Sequence, residues 1–179
     1  LRNNAINNMV EQEYANVFQK TIGTLTKQSI ESIDKFRIGL ENVVPLNTAF
    51  STSSLSQDMK KIAELISVRS FLGANRQIFY VTYGGWDHHD NVLGSQAAML
   101  PVLSNAMAEF NDAMKEIGLH DNVTTFTISD FARTLTSNGN GSDHAWGGNQ
   151  MVMGGAITGS QVYGTYPSLA LSNNDYNLS

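Results

Sequence analysis

Two short stretches hold most of the side chains able to do chemistry. Gly84-Gly85-Trp86-Asp87-His88-His89-Asp90 and Ser142-Asp143-His144-Ala145-Trp146-Gly147-Gly148 place three of the four histidines beside carboxylates in glycine-rich loops. Neutral imidazole nitrogen and carboxylate oxygen suit zinc or manganese, and a carboxylate-dominated set also accepts magnesium or calcium. Side chains two apart in an extended segment share a side, so Asp87 and His89 can face one ion together while His88 turns away. A third stretch, Ser129-Asp130-Phe131-Ala132-Arg133-Thr134, adds a carboxylate and a guanidinium. Arg133 would present a planar fork of donors to a phosphate or sulfate group.

Each of these residues also has a plain reading. A histidine beside an aspartate in a loop often makes only a surface hydrogen bond. Asp130 could cap a helix running from Phe131 to Leu135, and Arg133 could be a surface ion-pair residue. Trp86 and Trp146 could stack on a ring-shaped ligand, although packing beside the glycines is the commoner use of such residues. His120 reads as helix-end decoration favoured by the dipole, and the methionines between residues 99 and 114 read as core filling.

The elements that must position these residues follow from periodicity. Ile6, Val10, Tyr14, Val17, Phe18, Ile22 and Leu25, continued by Ile30, Ile33, Phe36 and Leu40, recur at steps of three and four and predict one long helix or two shorter ones. Val44-Pro45 ends that block, and the serine-rich stretch from Ser51 to Ser56 reads as a loop. Ser54 and Gln57 form a capping-box pattern for a helix carrying Met59, Ile62, Ala63, Ile66 and Phe71. Ile78 to Tyr83 is short, apolar and β-rich, and is halted by Gly84-Gly85, the pattern of a buried strand.

Met99, Val102, Leu103, Ala106, Met107, Phe110, Met114 and Ile117 mark an amphipathic helix with Pro101 near its start or at a kink, and Gly118 as its C-cap. Val123 to Ile128 reads as a second strand and Gln150 to Met153 as a weaker third. A strand, a helix and a strand of these lengths predict a right-handed βαβ unit with parallel pairing. In an open parallel sheet the loops leaving the carboxyl ends of the strands gather on one edge, where ligands bind. That edge would collect Asp87, His89, Asp130, Asp143 and His144 as candidate metal ligands and Arg133 as the anion contact. The division expected is a helical segment over residues 1–75 and a partial α/β metal-site domain over 76–179.

Composition narrows the classes. The 179 residues are 41% hydrophobic, enough for a real core, and no internal repeat interrupts them. A net charge of -5 without a lysine or arginine block argues against nucleic acid and against an anionic membrane surface. No apolar run is long enough to span a bilayer. With no cysteine, any metal site must use imidazole and oxygen, and thiol nucleophiles and disulfides are excluded.

The same motifs resemble the bacterial domain-of-unknown-function fifteen-hundred-and-one family, exported by the twin-arginine route and related to the alkaline phosphatase and sulfatase superfamily. That family shows Gly-Gly-Trp-Asp-Thr-His, Ser-Glu-Phe-Gly-Arg-Thr, Asn-Gly and Thr-Asp-His-Gly. They appear here in order as Gly84 to His89, Ser129 to Thr134, Asn138-Gly139 and Ser142 to Ala145, with His88 for threonine, Asp130 for glutamate, and Ala132 and Ala145 for glycine.

The resemblance implies an alkaline-phosphatase-like parallel sheet, a periplasmic or secreted location, and metals that activate a nucleophile against phosphate or sulfate esters. Superfamily enzymes carry an Asp-His pair directly after a strand. Here Asp130 is followed by Phe131, and His144 resembles the superfamily's last metal histidine. Their nucleophile follows a first strand, whereas only helix is expected before Gln77. The expectation is therefore the carboxyl-terminal part of an exported hydrolase-like protein whose nucleophile lies outside this chain. The alternative is a noncatalytic envelope or surface protein that retains the fold.

Overall fold

The computed structural model describes residues 2–145, 148–165, 168 and 170, so Trp146 and Gly147 lie outside the described residues. Two compact units form: residues 1–45 with 64–79, and residues 46–63 with 80–179. The division is thus not one cut at residue 75. Residues 46–63 join the second unit because two glutamates there draw the segment in, as described below.

The first unit is helical. The apolar spacing expected of one or two helices gives two, α1 (Arg2–Glu11) and α2 (Val17–Glu41), separated where Asn16 caps α2 by accepting hydrogen bonds from the main-chain N–H groups of Phe18 and Gln19. The short helix α4 (Arg69–Leu72) packs against α2 at Gly39, where an added Cβ would meet Leu72, Val68 and Phe71. The only buried residues of α2 are Gly23 and Gly39. Its stripe of Val17, Phe18, Ile22, Leu25, Ile33 and Phe36 is therefore exposed rather than buried.

The second unit is organised around α5 (Val92–Glu116), which buries Ala106, Met107, Phe110, Ala113 and Met114. It begins a full two turns ahead of Met99, so Pro101 lies inside the helix. A Schellman cap ends α5: Gly118 adopts a left-handed φ of 69°, its N–H reaches the Lys115 carbonyl, and the N–H of buried Leu119 reaches Met114. A 3-10 turn over His120–Asn122 follows, and His120 Nε2 bonds Asn111 Oδ1 of α5.

Glu109 and Glu116, two turns apart on α5, hold the segment that leads into α3 (Ser54–Ser67). Glu116 accepts from the main-chain N–H and side chain of both Asn47 and Thr48, and Glu109 accepts from Ser51 and from the Ser56 hydroxyl at 2.5 Å. The Thr48 hydroxyl first, then the main-chain N–H groups of Asn47 and Thr48, hold the Glu116 carboxyl down at about 2. The capping residue of α3 is Ser53, whose Oγ accepts from the Ser56 N–H. Gln57 instead donates to the Ser51 carbonyl, so the capping box expected at Ser54 does not form.

Two antiparallel ladders occur among the described residues. β1 (Thr125–Phe126) pairs with β4 (Val152–Met153), matching Thr125 with Met153 and Phe126 with Val152. β2 (Ala132–Ser137) pairs with β3 (Ser142–Ala145), setting Arg133 opposite His144. The segments expected as second and third strands therefore do meet, but antiparallel. No ladder is assigned to 78–83, where half-buried and exposed residues alternate and Ile78 is 96% exposed. The segment after Asp130 is a strand, not the helix that Asp130 would have capped. Among the described residues no helix is long and apolar enough to cross a membrane.

Candidate metal centre

The site is built by two pieces of chain far apart in sequence. The first is the turn from Trp86 to Asp90, immediately before α5. The second is the β2–β3 hairpin.

The hairpin is closed by Asn138-Gly139-Asn140-Gly141, with Gly139 at φ 115° and the Asn138 N–H donating to the Gly141 carbonyl. It is latched onto the turn at several points. The Val92 N–H donates to the Asn140 carbonyl, Asn140 Nδ2 bonds the Asp90 carboxylate, and Asn138 Nδ2 donates to the His89 carbonyl. Gly141 lies so close that a Cβ there would sit 2.3 Å from the His89 carbonyl oxygen, closer than real atoms approach. Only glycine fits.

Three ligand atoms converge inside this latch. Asp87 Oδ1 lies 2.8 Å from His144 Nε2 and 3.0 Å from His89 Nε2, and the two Nε2 atoms are 3.2 Å apart. Donors held about 2.0–2.1 Å from one divalent ion lie about 3 Å from each other, so this triangle has the size of one face of a coordination shell. The donor set of one carboxylate and two imidazoles also fits zinc or manganese better than calcium, which takes oxygen. A proton on one Nε2 can serve only one of these contacts at a time, whereas a divalent cation can serve all three. All three side chains are about half exposed, which leaves the outer side open to a further ligand.

The His144 hydrogen bond, together with the positive fields of His89 and His144 and a hydrogen bond from Arg133, holds the Asp87 carboxyl below its usual range against a smaller opposing effect of desolvation. The acid group is thus kept as the ionised form that a cation needs.

The remaining expected residues fall in different places. Asp143 belongs to the cluster but on its far side, with Oδ1 3.2 Å from His89 Nδ1. Asp130 is exposed and is not among the groups whose ligand atoms converge. Arg133 has turned inward: Nη1 donates to the Ser142 carbonyl, Nη2 to the Trp86 carbonyl and to Asp87 Oδ1, and the guanidinium lies 5.0 Å above the Phe131 ring. Its terminal nitrogens thus brace the two pieces of chain together.

His88 is buried beside Trp86, and its Nε2 has no hydrogen-bond partner among the described residues. Phe131 stacks on His144 at 3.9 Å and 11°. Sequence reading missed Asn138 and Gly141 as site residues. The Asn-Gly dipeptides of a hairpin turn were the available signal.

Fold and site together define a helical protein with small antiparallel ladders that carries an exposed histidine–carboxylate cluster at a loop–hairpin junction. The chain belongs to the family described as Protein of unknown function (DUF1501), which matches it over residues 40–179. No curated protein and no solved structure matches the chain.

Proposed function

We propose that this chain carries a centre for one divalent metal ion, zinc or manganese before magnesium or calcium, held by Asp87, His89 and His144. The observation that carries this is the convergence of one carboxylate oxygen and two imidazole nitrogens within 4.8 Å of one another. The protein's part is to keep Asp87 ionised, to join turn and hairpin through Arg133 and Asn138, and to leave the outer side of the triangle to solvent.

In the complete protein we place this centre in a hydrolase that acts on phosphate or sulfate esters after export to the periplasm or beyond. A bound ion would supply Lewis-acid polarisation of the ester oxygen. The matching fold reading is an α/β sheet that includes residues 78–83, supported by the period-two alternation of exposure there and along 123–128. The nucleophile belongs to the part of that protein outside this chain.

A second reading, a noncatalytic envelope protein with a structural cluster, is favoured by one observation. The turn and hairpin are joined directly by hydrogen bonds from Arg133, Asn138 and Asn140.

Metal analysis of the purified chain after zinc or manganese loading should give one equivalent, lost in both His89→Ala and His144→Ala. A wild-type chain that retains no metal overturns the proposal. On the full-length protein, ester turnover abolished by His89→Ala excludes the structural reading, and its absence across phosphate and sulfate esters overturns the hydrolase assignment.

A further inference from the structure

The two ring nitrogens of His89 face different partners. Nε2 points into the triangle with Asp87 and His144, while Nδ1 points out of it toward Asp143. An imidazole that ligates a metal through one nitrogen carries its proton on the other, and the group accepting that proton sets the tautomer and the ring plane.

Asp143 is suited to that task. Its side chain is 65% exposed and presents a carboxylate oxygen 3.2 Å from His89 Nδ1. It is held in place by Asn138, whose Nδ2 donates to both Asp143 Oδ1 and the His89 carbonyl while its Oδ1 accepts from the Gly141 N–H. Every hydrogen-bonding group of that amide is therefore engaged. His144 has no comparable carboxylate behind it among the described residues, and its ring plane is set by stacking on Phe131.

We infer that Asp143 is a positioning residue and not a metal ligand: it accepts the Nδ1–H of His89 and so presents Nε2 to the ion, and Asn138 fixes Asp143 in turn. The inference rests on the metal-centre reading of Asp87, His89 and His144.

Cobalt(II) loaded into the full chain separates the two claims. Wild type should take one equivalent and show a ligand-field band together with an exchangeable, hyperfine-shifted imidazole N–H from His89. Asp143→Ala should weaken cobalt binding by about 10- to 100-fold. At saturation it should leave the band unchanged, since the donor set is intact, while the N–H signal is lost to rapid exchange with water.

Asp143→Asn, which keeps an acceptor oxygen, should recover part of the affinity. Histidine labelled with nitrogen-15 in the zinc-loaded wild type reads the same point without any variant: Nδ1 of His89 should be protonated and Nε2 bound.

A band that changes at saturation in Asp143→Ala would make Asp143 a ligand and overturn the inference, as would an affinity and N–H signal that do not move. Either result leaves the metal centre standing. A wild-type chain that takes no cobalt overturns both.

Discussion

Two polar knots in the second unit can be set side by side. In one, Glu109 and Glu116 of α5 are surrounded by main-chain N–H groups, hydroxyls and an amide from residues 47–56. In the other, the Asp87 carboxylate is surrounded by two imidazole nitrogens and a guanidinium. The donors of the first knot carry permanent protons, so the carboxylates are satisfied and have no use for a cation. Two of the partners in the second are nitrogens that can exchange a proton for a metal. A carboxylate cluster is thus a functional candidate according to what its partners can become, more than according to how many it has.

The sharpest way to break this contrast is to remove one ligand from each knot. Asp87→Ala should abolish metal binding measured by calorimetric titration, whereas Glu116→Gln should leave the affinity unchanged. Equal loss in both would erase the distinction. Next in size, Gly141→Ala should lower metal affinity by about tenfold or more, because the new methyl group displaces the His89 carbonyl and with it the ligand ring.

Smaller again, Glu116→Gln should lower the thermal midpoint by roughly a few degrees, since the amide replaces a charged acceptor of four donors. The smallest effect is on acid stability. Glu116 is held near 2 in the folded chain against an ordinary 4.5, so its contribution is complete above pH 4.5 and is lost as pH falls from there toward about 2. Acid titration of Glu116→Gln followed by circular dichroism should show a shallower loss in that window than wild type.

The three residues whose side chains converge were readable from the sequence because Asp87, His89 and His144 are distinctive residue types in glycine-rich surroundings. Their means of assembly was harder to read. Arg133 looked like an anion contact because its guanidinium fork suits one, yet the same fork suits two main-chain carbonyls, and only the fold decides between them.

The β2–β3 hairpin was hidden because its strands, Ala132–Ser137 and Ser142–Ala145, lack apolar alternation. The Asn138-Gly139 turn was its one clear mark. Residues 123–128 were legible as extended, but their pairing with β4 in antiparallel register goes with a long-range close approach, Gly154 against the Val123 carbonyl, that periodicity does not show. For α2 the periodicity marked the helix but not its exposure, since 3.6-residue spacing describes a face and says nothing about whether anything covers it.

His89 and His144 meet across 55 positions of chain. A cation clasped between them would close that loop in the manner of a cross-link, restricting the unfolded chain far more than the folded one. The ion would then act as a tether as well as a reagent, adding its hold to the hydrogen bonds that join the hairpin to the start of α5.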